Sequence, residues 1–234
     1  MEWKTPQKPA DFAEKSLIRA ILEGIYPVES HLPSERVLCE QLGITRPTLR
    51  EALQRLSRDG WLDIQQGKST RVRSYLDEGN LNVLNSIASA AMPVSKKTVG
   101  NLLEVRALLA PAYFQAASQI NPQQLIHVIE NIQPIPPESD QIGMNDWQLH
   151  QSAASLSGNP VYRLILNGFE QVYLQMSKIY FSQPEAVKAS QDFYQQITNY
   201  TKSGDHIAVF RCTTEVMLAS ITFWRNINWQ EDEE

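Results

Sequence analysis

Apolar positions recur at steps of three and four residues along most of this chain, the spacing of helices that each bury one face. Ala13, Leu17, Ile18, Ile21 and Leu22 predict a first helix over 11–23, with Asp11 as its N-cap and Tyr26-Pro27 beyond its end. A short second helix lies within Leu32 to Ile44, opened by Ser34 and stopped by Gly43. It leads directly into Thr45-Arg46-Pro47-Thr48-Leu49-Arg50-Glu51-Ala52-Leu53-Gln54-Arg55-Leu56. At about 100 degrees per residue, Leu49, Ala52, Leu53 and Leu56 share one sector of that helix. Arg46, Pro47, Arg50 and Gln54 share another. Thr45 suits the N-cap, and Pro47 suits the first turn, where its missing N–H would have had no intrahelical partner.

The period changes after Gly60. Trp61-Leu62-Asp63-Ile64-Gln65 alternates apolar with polar as a half-buried strand does, Gln66-Gly67-Lys68-Ser69 makes a turn, and Thr70-Arg71-Val72-Arg73 returns. From Asn80 onward the pattern is helical again, over about 80–91, 97–119, 122–133, 140–157, 161–181, 184–202 and 206–227. The breaks fall at Pro134, Pro136 and Pro137, at Ser157-Gly158-Asn159-Pro160, and at Ser203-Gly204-Asp205. The expected fold is mainly α. A winged helix-turn-helix with a small β-hairpin wing occupies 1–78, and an all-α helical bundle occupies 79–234. The polar crossover Tyr75-Leu76-Asp77-Glu78-Gly79 marks the boundary.

Two arginines one turn apart at a helix start suit the major groove, where guanidinium groups bridge the O6 and N7 acceptors of guanine. An amphipathic helix whose arginines are only solvated has the same spacing. The flanks favour DNA. Between Gln65 and Ser74 the hairpin carries Lys68, Arg71 and Arg73 and no acidic residue, which fits a wing laid along phosphates or into a minor groove. The run from Leu32 to Val72, and above all "TRPTLREALQRLSRDGWLDIQQGKSTRV", resembles the winged helix-turn-helix of the GntR family, most of all its fatty-acid-responsive regulators. That resemblance implies operator contacts by Arg36, Thr45, Arg46, Thr48, Arg50, Gln66 and Gly67, on double-stranded DNA and as a homodimer. Pro47 stands where the family has a threonine, and Gln66 where it has a histidine.

Charge changes the picture little. Residues 1–78 carry 12 basic and 12 acidic side chains, and the remainder 9 and 14, which accounts for the net −5. Within 34–74 the balance is 8 basic to 5 acidic, so an acidic chain still has a locally positive segment for DNA. Cys39 and Cys212 lie in different segments and form no CxxC or Cys/His spacing, so neither a disulfide framework nor a zinc site is expected. No apolar signal core and no run of 18 apolar residues is present, and the expectation is a cytoplasmic protein without a membrane partner. Glu231-Asp232-Glu233-Glu234 reads as a solvated tail.

For the bundle, the helix expected over 161–181 is apolar on most sides, with Val161, Ile165, Gly168, Val172, Met176 and Ile179 on one face and Leu164, Phe169, Tyr173 and Tyr180 on others. Core packing and the lining of an apolar ligand cavity both fit that pattern. Gly168 permits close backbone approach. Asp146 and His150, one turn apart, face the same way and read either as metal ligands or as an Asp–His pair in a cavity wall. Asp-x-x-x-His followed by Ser157-Gly158-Asn159-Pro160 resembles the ligand-sensing domain of this GntR subgroup, many of whose members add two later histidines to hold a metal. Here those places hold Phe193-Tyr194 and Val216-Met217, so no metal is expected.

The fatty-acid-responsive branch binds long-chain acyl-coenzyme A. Asn101 to Arg106, Leu164 to Gly168, Tyr180-Phe181, Ser220 and Trp224 are similar to it and imply Arg106, Tyr180, Ser220 and Trp224 as pocket residues, to which His150 and Tyr173 are added. The last helix diverges at Val216, Met217 and Ala219. A GntR-type regulator sensing a small carboxylic acid, through a metal at Asp146 and His150, is the alternative, and a helical interaction module with a scaffold-only N-terminal domain is a third. No Gly-rich phosphate loop, Gly-x-Ser-x-Gly or His-Glu-x-x-His occurs, and neither catalysis nor a cofactor is expected.

Overall fold

The computed structural model describes residues 8–90, 94–132 and 141–227. It divides into two compact units, Met1–Met92 and Pro93–Glu234. In the first, α1 (Pro9–Leu22), α2 (Glu35–Leu42) and α3 (Arg46–Asp59) precede the two-residue strands β1 (Leu62–Asp63) and β2 (Arg71–Val72), and α4 (Asn82–Ser89) closes the unit. Leu17, Ile18 and Ile21 of α1, Leu38 of α2 and Leu49, Leu53 and Leu56 of α3 are all buried in one core with Trp61, Leu62 and Val72. The apolar sector of the arginine-bearing helix therefore faces inward, and Arg46, Pro47, Arg50 and Gln54 are exposed.

Local chemistry sets the helix ends. Gly43 and Gly60 close α2 and α3 in the left-handed region, at φ 65 and 97. Ser34 and Thr45 occupy their N-cap positions, but neither side chain caps. Thr45 Oγ1 instead meets Thr48 Oγ1 at 2.9 Å. Asp11 does not begin α1, which starts at Pro9 after Lys8; it lies in the first turn and accepts from Arg55 Nη1 at 2.8 Å.

The hairpin departs from simple alternation. Trp61 and Leu62 are both buried and Ile64 is exposed, because β1 is only two residues long and the chain turns at its end. The sheet also gains a partner that its sequence does not suggest. Val72 N–H donates to Ser30 at 2.8 Å, Glu29 N–H to Val72 at 2.9 Å and Leu32 N–H to Thr70 at 2.9 Å, so residues 29–32 line the outer edge of β2. That edge is covered rather than left to pair elsewhere.

The domain boundary expected at 78/79 lies later. Val83 and Ala90 belong to the first core, and α4 packs on α1. The crossover before it is held at the end of α3. A Cβ on Gly60 would come 2.6 Å from the Gly79 Cα, and one on Gly79 would come 2.2 Å from the Tyr75 carbonyl oxygen. Tyr75 also packs its ring 4.8 Å from Trp61.

The second unit holds α5 (Lys96–Ile120), α6 (Pro122–Asn131), α7 (Ile142–Leu156), α8 (Pro160–Asn167), α9 (Glu170–Tyr180), α10 (Pro184–Ser203) and α11 (His206–Asn226). The central pair is α5 with α11, flanked by α10 and α7. By length and composition α11 could cross a membrane, yet the helix packs against α5 and α10. Residues 133–140 and 228–234, which include the expected proline loop and acidic tail, lie outside the described residues.

The single helix expected over 161–181 is two helices. Gly168 caps α8, and the turn tightens there, with Gly168 N–H donating to Ile165 and Phe169 N–H to Leu166. Three-residue steps then bring Leu166, Phe169 and Val172 to one face, while Val161 and Leu164 are left exposed. Close approach between helices is made at Gly143, where a Cβ would lie 2.2 Å from Ser177 Oγ on α9. Gly60→Ala should cost about 1–3 kcal/mol from its backbone conformation alone. Each kcal/mol lowers the unfolding midpoint of a unit this size by about 4–8 °C; an unchanged midpoint in thermal unfolding would contradict the glycine contact.

Candidate functional site

In the first unit the helix-turn-helix presents the start of α3 to solvent. Arg36, Thr45, Arg46, Arg50, Gln66, Gly67 and Lys68 are exposed and Thr48 is half-buried. The structure therefore brings the α2 and α3 candidates onto one motif and puts Gln66, Gly67 (φ 77) and Lys68 in the hairpin turn. Two arginines are already engaged. Arg50 Nε donates to both oxygens of Glu35 at 3.1 and 3.0 Å, and Arg36 Nη1 to Glu40 at 2.8 Å. Exposed pairs of this kind are worth about 0–1 kcal/mol, against about 1–3 kcal/mol for a bidentate guanine contact, so DNA can outcompete the carboxylates.

The wing corrects one expectation. Arg71 and Arg73 are not free for phosphate. Arg71 donates to Glu29 at 2.7 Å and to Glu78 at 3.0 Å, and both arginines lie 3.8 Å from Asp63. They tie the hairpin to the segment before α2 and to the crossover after the wing. Of the three wing cations only Lys68 is left without a carboxylate among the described residues; its Nζ donates to Gln65 at 2.8 Å. Glu29 and Glu78 are 42 and 7 residues from Arg71 in sequence, and no local pattern links them.

In the second unit an apolar cavity of about 60 Å³ is lined by α5, α7, α8, α9 and α11. Arg106, His150, Tyr173, Tyr180 and Trp224 line it, together with Leu102, Met176 and Phe181. Ser220 stands just behind, accepting from Arg106 Nη2 at 2.7 Å, and Trp224 donates through Nε1 to the Lys96 carbonyl at 3.0 Å. The candidates taken from α5, α7, α9 and α11 thus converge, and on a set of polar residues buried among apolar ones.

Asp146 is at the centre. Its two carboxylate oxygens accept from the phenols of Tyr173 and Tyr194. His150 Nδ1 is hydrogen-bonded to the Tyr113 phenol, while its Nε2 sits 3.7 Å from Asp146 Oδ2, too far for a hydrogen bond. Burial pushes the imidazole down to about 4, with Arg106 acting in the same direction, so His150 is neutral near pH 7. Burial also raises Tyr113 and, with the Asp146 charge, lifts Tyr173 and Tyr194 well above the usual phenol range. Burial would depress the Arg106 guanidinium, but Tyr173, Tyr180 and Asp146 together hold it above its ordinary value. Its carbon lies 5.9 Å from the centre of the Tyr173 ring, a cation–π distance. Among the described residues Arg106 Nε and His150 Nε2 are buried and have no hydrogen-bond partner.

Sequence reasoning missed Tyr113 as a site residue. Tyr194 carried a partial signal, because it belongs to the Phe193-Tyr194 pair that the resemblance sets where metal-holding members have a histidine. The residues present do not fit a resident transition metal. Asp146 is occupied by two phenols, one imidazole nitrogen by a third, and the described residues include no group of three or more His, Cys, Asp or Glu side chains able to hold an ion.

An arginine-bearing helix-turn-helix, followed in the same chain by a helical bundle with a cavity of buried polar and aromatic residues, has the architecture of a DNA-binding transcription regulator. Residues 9–72 match the family described as bacterial regulatory proteins, gntR family, and residues 73–233 match the FadR C-terminal domain. The chain belongs to the GntR family of transcription regulators, in the group with a FadR-type C-terminal domain. It is 41% identical over 201 residues to the fatty acid metabolism regulator protein of Shewanella sp. strain ANA-3, covering 86% of this chain and 83% of the relative. It is 39% identical over 224 residues to that of Shewanella pealeana, covering 95% and 91%. The fold is similar to the solved structure of Lar, which controls the expression of the Listeria monocytogenes agr system, with TM-score 0.62 at 14% identity over 96% of this chain and 100% of that one. The family's members are regulators and not enzymes.

Two outcomes follow. Arg46→Ala or Arg50→Ala should lose about 1–3 kcal/mol of operator affinity and relax base preference. Lys68→Ala should weaken specific and random DNA alike, whereas Arg71→Ala should act mainly through folding stability; wild-type discrimination by both α3 variants in a competition binding assay would remove α3 as the reading helix. Protein purified without added metal should contain no stoichiometric zinc, nickel or manganese. About one ion per chain by elemental analysis, lost in His150→Ala, would reverse the reading of the Asp146 cluster.

Proposed function

We propose that this protein regulates fatty acid metabolism in the bacterial cytoplasm by binding operator DNA as a homodimer and releasing it when long-chain fatty acyl-coenzyme A enters the α5–α11 cavity. The observation that carries this reading is the cavity itself, in which a buried cation and aromatic residues line otherwise apolar walls. Arg106 gives a polar head a partner, and the walls of Leu102, Phe169, Val172 and Met176 give an alkyl chain a place to bury. Each buried methylene is worth about 0.8 kcal/mol, so a long chain gains affinity that a short acid lacks. The names of the Shewanella relatives support the same physiology. Paired half-sites, used by helix-turn-helix dimers, support dimeric operator binding.

Cavity size links binding to release. The space of about 60 Å³ is well below the ~150 Å³ that holds one benzene in an apolar protein cavity, so a long chain must part the helices around it. The turn between α8 and α9 at Gly168 is a natural place for that movement. A ligand shifts the DNA-binding equilibrium only as far as its affinity differs between the two arrangements, and a chain that fits only the parted one has a large difference. The alternative, a small carboxylic acid held through a metal at Asp146 and His150, has less support, because both carboxylate oxygens already accept phenols.

The test is titration of operator-bound protein with acyl-coenzymes A of increasing chain length, beside free coenzyme A. Release should strengthen with chain length and be blunted at least tenfold in Met176→Trp, which fills the cavity, with operator affinity itself kept. Insensitivity to every thioester, alongside response to a small organic acid, would overturn the proposal.

A further inference from the structure

The unpartnered nitrogens in the cavity specify what the ligand offers. Burying a polar N–H without an acceptor costs about 1–3 kcal/mol, and native interiors hold few such groups. Here two belong to residues that line the same cavity: Arg106 Nε–H on α5 and His150 Nε2 on α7. Other nitrogens of both side chains are engaged. Arg106 Nη2 donates to Ser220, and its plane lies over the Tyr173 ring. His150 Nδ1 is engaged by the Tyr113 phenol.

The tautomer follows from the neighbours. Asp146 Oδ2 lies 3.7 Å from Nε2, and its negative charge favours a hydrogen on that nitrogen. Tyr113, fully buried and held protonated by burial, then donates to Nδ1. His150 is therefore an Nε2–H donor, and Asp146 is kept in place by Tyr173 and Tyr194. Both unpartnered groups are donors, and neither has an acceptor within hydrogen-bond distance among the described residues.

Resting on the acyl-coenzyme A reading above, we propose that Arg106 Nε–H and His150 Nε2–H together form a seat for the acyl carbonyl oxygen, with Tyr113 as the positioning residue that fixes the imidazole. The seat recognises an oxygen of a carboxylic acid derivative. A thioester carbonyl and a free carboxylate share that chemistry; the thioester is favoured because it brings an acceptor into the cavity without burying another net charge. The chain would then run along the α8–α9 wall from a fixed carbonyl, so that its length is measured from this point.

The experiment compares three probes of one chain length on the intact protein: the acyl-coenzyme A thioester, the alkyl thioether of coenzyme A that lacks the carbonyl, and the free fatty acid. In wild type the thioester should bind about 10- to 100-fold tighter than the thioether, the range of a hydrogen bond with a charged partner. The ¹³C=O stretch of labelled thioester should shift to lower frequency on binding. In Tyr113→Phe, which keeps the ring, the shift should shrink and the thioester preference fall several-fold; in His150→Ala the preference should fall to about threefold or less, and His150→Gln should restore part of it. An equal affinity of thioester and thioether for wild type, or an unshifted carbonyl band, overturns the seat while leaving the effector reading intact. Tighter binding of the free acid, with the same dependence on His150, overturns the thioester assignment in favour of a carboxylate. Failure of all thioesters to bind overturns the effector reading and this proposal with it. The wild-type comparison and the band position stand even if a variant fails to fold.

Discussion

Two opposite charges buried in one helical bundle, and not paired with each other, set the terms for the second unit. An ion removed from water costs several kcal/mol even after relaxation, and the usual compensation is a direct partner of opposite sign. Asp146 and Arg106 make no direct ion pair; the carboxylate takes phenols from α9 and α10, and the guanidinium takes a hydroxyl from α11 and the face of an aromatic ring. Tyr173 serves both, giving its hydroxyl to Asp146 and its ring to Arg106. Five helices are thereby tied to one small polar cluster, and four of them, α5, α7, α9 and α11, also line the cavity. A network compensated this way leaves some donors over, and those are the groups a ligand can use.

The first unit handles charge in the opposite manner, at the surface and with direct pairs. Arg36, Arg46 and Arg50 of the helix-turn-helix are exposed, and the contacts of Arg50 to Glu35 and of Arg36 to Glu40 are weak enough to exchange for DNA. Arginines at the base of the wing are built into a cluster with Glu29, Asp63 and Glu78. One residue type thus plays two parts within a short stretch of chain. What separates them is whether carboxylates converge from several directions, as around Arg71, or from a single neighbouring helix, as around Arg50.

Much of this was legible in the residues alone. The inward face of α3, the glycine stops at Gly43 and Gly60, the wing turn and the helical character of the bundle follow from periodicity and from backbone rules that act within a few residues. The convergence of Arg106, Tyr180 and Trp224 was reached only by resemblance, with His150 and Tyr173 added from helix spacing and aromatic character, since these positions are spread over more than a hundred residues. Tyr194 was visible as a departure from a metal-holding pattern, but its bond to Asp146 was not.

Sequence by itself determined which faces are apolar and where helices must start and stop, because those depend on side-chain spacing and local backbone strain. Tertiary structure alone decided that α4 joins the first core, that residues 29–32 cover β2, that the 161–181 segment breaks at Gly168, and that Arg71 is held by carboxylates while Lys68 meets none among the described residues. Each of these is a choice among partners that lie far apart in sequence. Periodicity says that a group must be buried or satisfied; only the packed chain decides by what, because the desolvation cost of a charge and the pairing of a strand edge depend on whatever arrives from elsewhere.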